Sequence, residues 1–124
     1  MEVIETKKAP AAIGPYSQAY VHNGFVFTSG QIPICPETGS IDVTTIEEQA
    51  EQVIINLKAV LEAAGSSLDK VVKSTCFLKN MGDFTAFNQV YEKYFVNKPA
   101  RSCVEVSALP KGSLVEIEVV AVQD

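Results

Sequence analysis

Between Thr45 and Ala64 the residues Ala50, Val53, Ile54, Leu57, Val60, Leu61 and Ala64 recur at spacings of three and four. That interval puts them on one face of a helix. A helix with one apolar face has to bury it against another element. Both ends carry their own signals. Thr45 and Glu48 have capping-box spacing, the hydroxyl meeting orphan N–H groups and the carboxylate reaching back. Gly65 stands where a left-handed residue closes a helix. The pattern predicts a helix over 45–64 packed on a layer that the rest of the chain must supply.

That layer reads as a sheet. Val3-Ile4 is a short first strand. The apolar runs Tyr16–Val21 and Phe25–Ser29 flank His22-Asn23-Gly24. Asn-Gly between such runs signals a hairpin, because a type I′ turn needs positive φ at both central residues. Val71–Leu78, Ser102–Val106 and Leu114–Val122 are rich in residues that favour strands. A second helix is expected over Asp83–Phe95, where Phe84, Phe87, Tyr91 and Tyr94 recur at three and four. Ala9–Pro15, Cys35–Gly39 and Leu109–Gly112 carry the Pro and Gly of loops. The order predicts an α+β chain: one mixed sheet, two helices on one face, and a single domain over 1–124. The opposite sheet face then has no cover within the chain. A second copy is the economical cover, so a homo-oligomer is expected.

Charge and composition narrow the function. The formal net charge is −5 and no Lys/Arg cluster exceeds Lys7-Lys8, which argues against nucleic acid as a partner. Three cysteines, Cys35, Cys76 and Cys103, form no CxxC, and His22 is the only histidine. Neither a disulfide framework nor a metal site is expected from that set. No apolar stretch approaches the roughly 20 residues of a membrane span. The opening Met1–Lys8 lacks the apolar segment of a secretory signal. A cytoplasmic location is the expectation.

Residues with chemistry cluster near the C-terminus. Side chains alternate along a strand, so Arg101, Cys103 and Glu105 share one face. By the same rule Glu116 and Glu118 oppose Val115, Ile117 and Val119. Arg101 reads either as a surface ion-pair residue or as a fork for a substrate carboxylate. The glutamates read either as a solvated strand face or as part of a pocket with Arg101 and Cys103. A Cys103–His22 nucleophilic pair is disfavoured, since His22 lies at the hairpin. Tyr16 follows Gly14-Pro15 and fits a packing role or a pocket rim. Gly30 after Ser29 permits close backbone approach of a ligand.

The stretches Ala9-Pro10-Ala11-Ala12-Ile13-Gly14-Pro15-Tyr16-Ser17-Gln18, Thr28-Ser29-Gly30-Gln31-Ile32-Pro33 and Pro99-Ala100-Arg101-Ser102-Cys103-Val104-Glu105-Val106 resemble the RidA family, also called YjgF or L-PSP. So do Asn56–Leu61 with Ala63-Ala64-Gly65, Leu109-Pro110-Lys111-Gly112 and Val115-Glu116-Ile117-Glu118. The resemblance spans nearly the whole chain. It implies a chorismate-mutase-like fold and a homotrimer with sites between subunits. The implied activity is hydrolysis of 2-iminobutanoate and 2-iminopropanoate to 2-keto acids and ammonia, with neither cofactor nor metal. The implied roles are a carboxylate fork for Arg101, a general acid–base for Glu116 and a non-covalent pocket wall for Cys103. Tyr16, Ser29 and Gly30 are implied ligand contacts, and Asn88 lies near the pocket. The segment Phe95–Pro99 is short beside several family members. Two other readings stay open: a non-catalytic ligand-binding or chaperone-like trimer, and an endoribonuclease.

Overall fold

The computed structural model describes residues 1–124. Its elements are β1 (Glu2–Ile4), β2 (Ala19–His22), β3 (Phe25–Thr28), α1 (Ile46–Ala63), β4 (Val71–Leu78), α2 (Phe84–Tyr94), β5 (Ala100–Glu105) and β6 (Val115–Val122). The strands form one mixed sheet in the order β1-β2-β3-β6-β4-β5. Only β4 and β5, joined through α2, run parallel; every other pair is antiparallel.

The local signals act as their chemistry requires. Thr45 Oγ1 accepts from the Glu48 N–H at 3.2 Å. The Glu48 carboxylate differs from the expected box: it takes the Thr45 hydroxyl at 3.0 Å rather than the backbone N–H. Asn23 and Gly24 both have positive φ, 52° and 78°, as a type I′ hairpin demands.

The core lies between the helices and one sheet face. Val53, Ile54, Leu57, Val60 and Leu61 of α1 are fully buried, as are Val115, Ile117 and Ala121 of β6. Each buried Val, Ile or Leu side chain contributes about 1.5–3 kcal/mol. The alternation on β6 is the expected one: Val115, Ile117 and Val119 face inward while Glu116 and Glu118 turn away. The outer sheet face presents Tyr20, Phe25, Phe27 and Val104, all exposed within the chain. No helix is long and apolar enough to cross a membrane.

Two boundaries moved by more than one residue, and both matter for the site. Tyr16–Gln18 lie outside β2, and the buried Gln18 side-chain amide ties down the N-terminal segment. Its nitrogen donates to the carbonyls of Thr6 and Pro10, and its oxygen accepts from the Thr6 N–H. Arg101 lies inside β5, because pairing with β4 already begins at Ala100 opposite Lys73.

Candidate functional site

The chemistry-bearing residues form two groups. The first is on the edge strand β5. Arg101 lies opposite Ser74 and Cys103 opposite Cys76, with both side chains on the helix side of the sheet. Phe84, Asn88 and Tyr91 stand at i, i+4 and i+7 on α2 and so share the face that meets Arg101. Asn88 Oδ1 accepts from the Arg101 guanidinium at 2.8 Å. The guanidinium carbon lies 4.8 Å from the Tyr91 ring centroid and 5.5 Å from that of Phe84. The one ion pair in the chain joins Lys70 to Asp124, so Arg101 has no carboxylate partner. A half-buried guanidinium with no counter-ion within the chain has N–H donors of the geometry that a carboxylate accepts from.

Cys103 is half-buried beside it. Burial pushes its thiol above the ordinary range, although Arg101 pulls the other way. The fully buried Cys76 is pushed up to about 12, chiefly by burial. Neither supplies a thiolate at neutral pH. His22, exposed at the end of β2, is separated from β5 by β3, β6 and β4, so no Cys–His pair forms within the chain.

The second group is on the outer face. Glu116 borders a cavity of about 590 Å³ whose lining includes Tyr16, Ser29, Gly30, Lys111 and Glu118. Burial raises the Glu116 carboxyl above its ordinary range, and the neighbouring Glu118 charge raises it further. Gly30 lies flat against the Glu116 side chain, whose Cδ would be 2.8 Å from any added Cβ. The space that glycine leaves at position 30, expected to admit a ligand, is taken by Glu116 of the same chain. The Ser29 hydroxyl donates to the Ser17 carbonyl at 2.6 Å, and its N–H donates to the Gln18 carbonyl at 2.9 Å. Ser29 thus tethers the loop that presents Tyr16, which is half exposed at the cavity rim.

The chain does not bring the two groups together. Glu116 pairs with Phe77, and Phe77 with Val104, which fixes all three on the outer face. Arg101 pairs with Ser74, and Ser74 with Val119, on the helix face. A pocket uniting Arg101, Cys103 and a glutamate within one chain is thereby corrected. Their strands are separated by β4, and their side chains leave opposite faces. No three His, Cys, Asp or Glu side chains converge to hold a metal ion.

Pattern reading missed Tyr91, Phe84 and Ser74 around Arg101. Two of them lie in an aromatic stripe at helical spacing, and such a stripe reads as core. It missed Gln18 because an amide in a strand-like run gives no sign that it bonds a distant loop.

The family model described as Endoribonuclease L-PSP matches residues 6–123. A RutC family protein of Pyrococcus abyssi is 55% identical over 99% of this chain and 98% of its own length. Escherichia coli TdcF, named for a proposed reactive intermediate deaminase activity, is 44% identical over 98% of this chain and 97% of its own. The crystal structure of TdcF with bound serine superposes with a TM-score of 0.95 over the full length of both chains. A Thermotoga maritima structure described as an endoribonuclease candidate reaches a TM-score of 0.97 at 53% identity, covering 100% of this chain and 98% of that one.

Proposed function

The chain belongs to the Endoribonuclease L-PSP family, the RidA or YjgF group, and from that premise we propose that it is a deaminase of reactive 2-imino acids. The substrates are 2-iminobutanoate and 2-iminopropanoate, and the products are the 2-keto acids and ammonia. One observation carries the substrate class: Arg101 is a positioned guanidinium without a counter-ion, matched to a carboxylate. The likeness to TdcF supports the reaction type.

In this reading Arg101 takes the substrate carboxylate in a two-pronged pair. Glu116 accepts a proton from water as the oxygen attacks the imine carbon and passes it to nitrogen, so that C=N becomes a C–N single bond in a hydroxy-amine. Glu116 then takes the hydroxyl proton as the C=O forms and hands it to nitrogen as the C–N bond breaks, and ammonia leaves. A carboxyl raised toward neutrality suits both halves of that transfer. Cys103 lines the site without a covalent step. No cofactor enters this chemistry. Imines already hydrolyse in water, so orientation and one proton shuttle suffice.

Because Arg101 and Glu116 leave opposite faces, the complete site takes Arg101, Cys103 and Asn88 from one copy and Glu116, Gly30 and Tyr16 from another. The geometry calls for a second copy; that the assembly is a homotrimer with sites between subunits, working in the cytoplasm, follows from the family resemblance. The exposed aromatic residues of the outer sheet face are the surface it would bury. RNA cleavage, which the family description names, finds little support in a chain of net charge −5.

The test is a coupled assay in which a serine or threonine dehydratase releases the imine into semicarbazide. The protein should lower semicarbazone formation in proportion to its concentration, and Arg101→Ala should not. No reduction by the folded protein would transfer the argument to a ligand-binding role.

A further inference from the structure

Aromatic rings rather than acids surround the charge of Arg101. Tyr91 is itself fixed: it is buried, its ring stacks on Phe95 at 4.3 Å, and its hydroxyl shares a 2.6 Å hydrogen bond with Ser74. Ser74 is fully buried on β4 directly opposite Arg101. Two hydroxyls sealed from water satisfy one another, and moving either strands its partner. This couple therefore holds one ring position. The hydrolysis proposed above uses neither Tyr91, Ser74 nor Phe84.

The geometry points to Tyr91, anchored by Ser74 and assisted by Phe84, as the positioning residue that keeps the Arg101 fork open for a carboxylate. The assignment rests on the anion-site reading of Arg101. A ring attracts a guanidinium through its π face, whereas a carboxylate bonds the N–H groups in the guanidinium plane. The two therefore do not compete. An aspartate in place of Tyr91 would hold Arg101 as firmly, but it would occupy those donors and cancel the charge. Asn88 adds a neutral acceptor at one terminal nitrogen and fixes the rotation of the group. Arg101 is thus ordered before ligand arrives, and less rotamer entropy is lost on binding. The expected consequence is discrimination between a carboxylate and its isosteric amide.

The experiment titrates the intact protein with 2-oxobutanoate and with 2-oxobutanamide in a calorimeter. Tyr91→Leu should weaken 2-oxobutanoate about tenfold and leave the amide unchanged, while Tyr91→Phe, which keeps the ring but loses its Ser74 anchor, should restore part of the difference. Circular dichroism accompanies each variant because Tyr91 belongs to the core. If Tyr91→Leu does not fold, Phe84→Leu at the start of α2 reads the same ratio, with an effect of about threefold. Equal weakening of acid and amide, or no weakening in a folded variant, overturns the assignment. Imine hydrolysis is measured separately. A protein without hydrolysis that still shows the ring-dependent ratio would sink the deaminase reading and leave this assignment standing. Hydrolysis with an unaltered ratio in Tyr91→Leu would do the reverse.

Discussion

Gly30 and Glu116 touch so closely that a Cβ on Gly30 would lie 2.8 Å from Glu116 Cδ and 3.0 Å from its Cγ. Gly30 has no positive φ, so the need for glycine here is one of space rather than of backbone conformation. The carboxylate is the free end of a flexible chain and can swing aside at little cost to the fold. Gly30→Ala should therefore unfold near the wild-type temperature while imine hydrolysis falls about 100-fold, the scale of a displaced acid–base group. Wild-type kcat in a folded Gly30→Ala protein would remove Glu116 from the mechanism.

Glu118 raises the Glu116 carboxyl by charge repulsion, on top of the effect of burial. Attack on the imine needs the Glu116 carboxylate, so the rate declines as pH falls through this raised value. Removing the repelling charge lowers that value. Glu118→Gln should shift the acid limb of the kcat profile to lower pH, with the plateau rate nearly kept. Linkage gives the matching sign for stability. A carboxyl with a raised folded-state value stabilises the fold at acid pH, and that contribution is lost as pH rises through the raised value. The variant should lose less stability over the same interval in urea titrations. An acid limb that stays in place would show that another group controls it.

The sequence made legible what depends on local chemistry. The stripe from Ala50 to Ala64 and the Asn23-Gly24 pair act over a few residues, and both elements formed where their signals stood. Alternation on β6 likewise separated Glu116 from Ile117. What stayed hidden depends on strand order. Arg101 and Glu116 belong to strong motifs, but only the placement of β4 between β5 and β6 reveals that they face opposite ways. Tyr91 was visible as part of an aromatic stripe. Its second role became visible only once β5 lay beside α2. Gln18 was lost for the same reason, since its partners at Thr6 and Pro10 are eight to twelve residues away in a loop.

Cys103 stands beside Arg101, yet its thiol is raised by burial and has no histidine within reach in its own chain. A covalent route would need a thiolate that these surroundings disfavour. Cys103→Ser preserves the shape of the pocket wall, and kcat/KM should stay within about fivefold of wild type, a change of about 1 kcal/mol in the barrier. Single-turnover hydrolysis, with circular dichroism as the fold control, checks this. Complete loss in a folded Cys103→Ser protein would restore covalent catalysis as the working mechanism.

Asn56 is a fully buried amide on α1. Its nitrogen donates to the carbonyls of Ile32 and Ile34, and its oxygen accepts from Gln52 at 2.9 Å. The segment it grips follows Gly30, and Gln31 there pairs with Ile117 of β6. Asn56 thus fastens the helix layer to the backbone that seats Glu116. Asn56→Ala leaves the Ile34 carbonyl without that donor and opens a small void, at a cost of about 2 kcal/mol. For a chain of this size the melting temperature should fall by roughly 5–10 °C at fixed protein concentration. Hydrolysis below the transition should fall too, because the Gly30–Glu116 contact shares the loosened segment. A variant that melts at the wild-type temperature would show that the Ile32–Ile34 turn holds without its amide clamp.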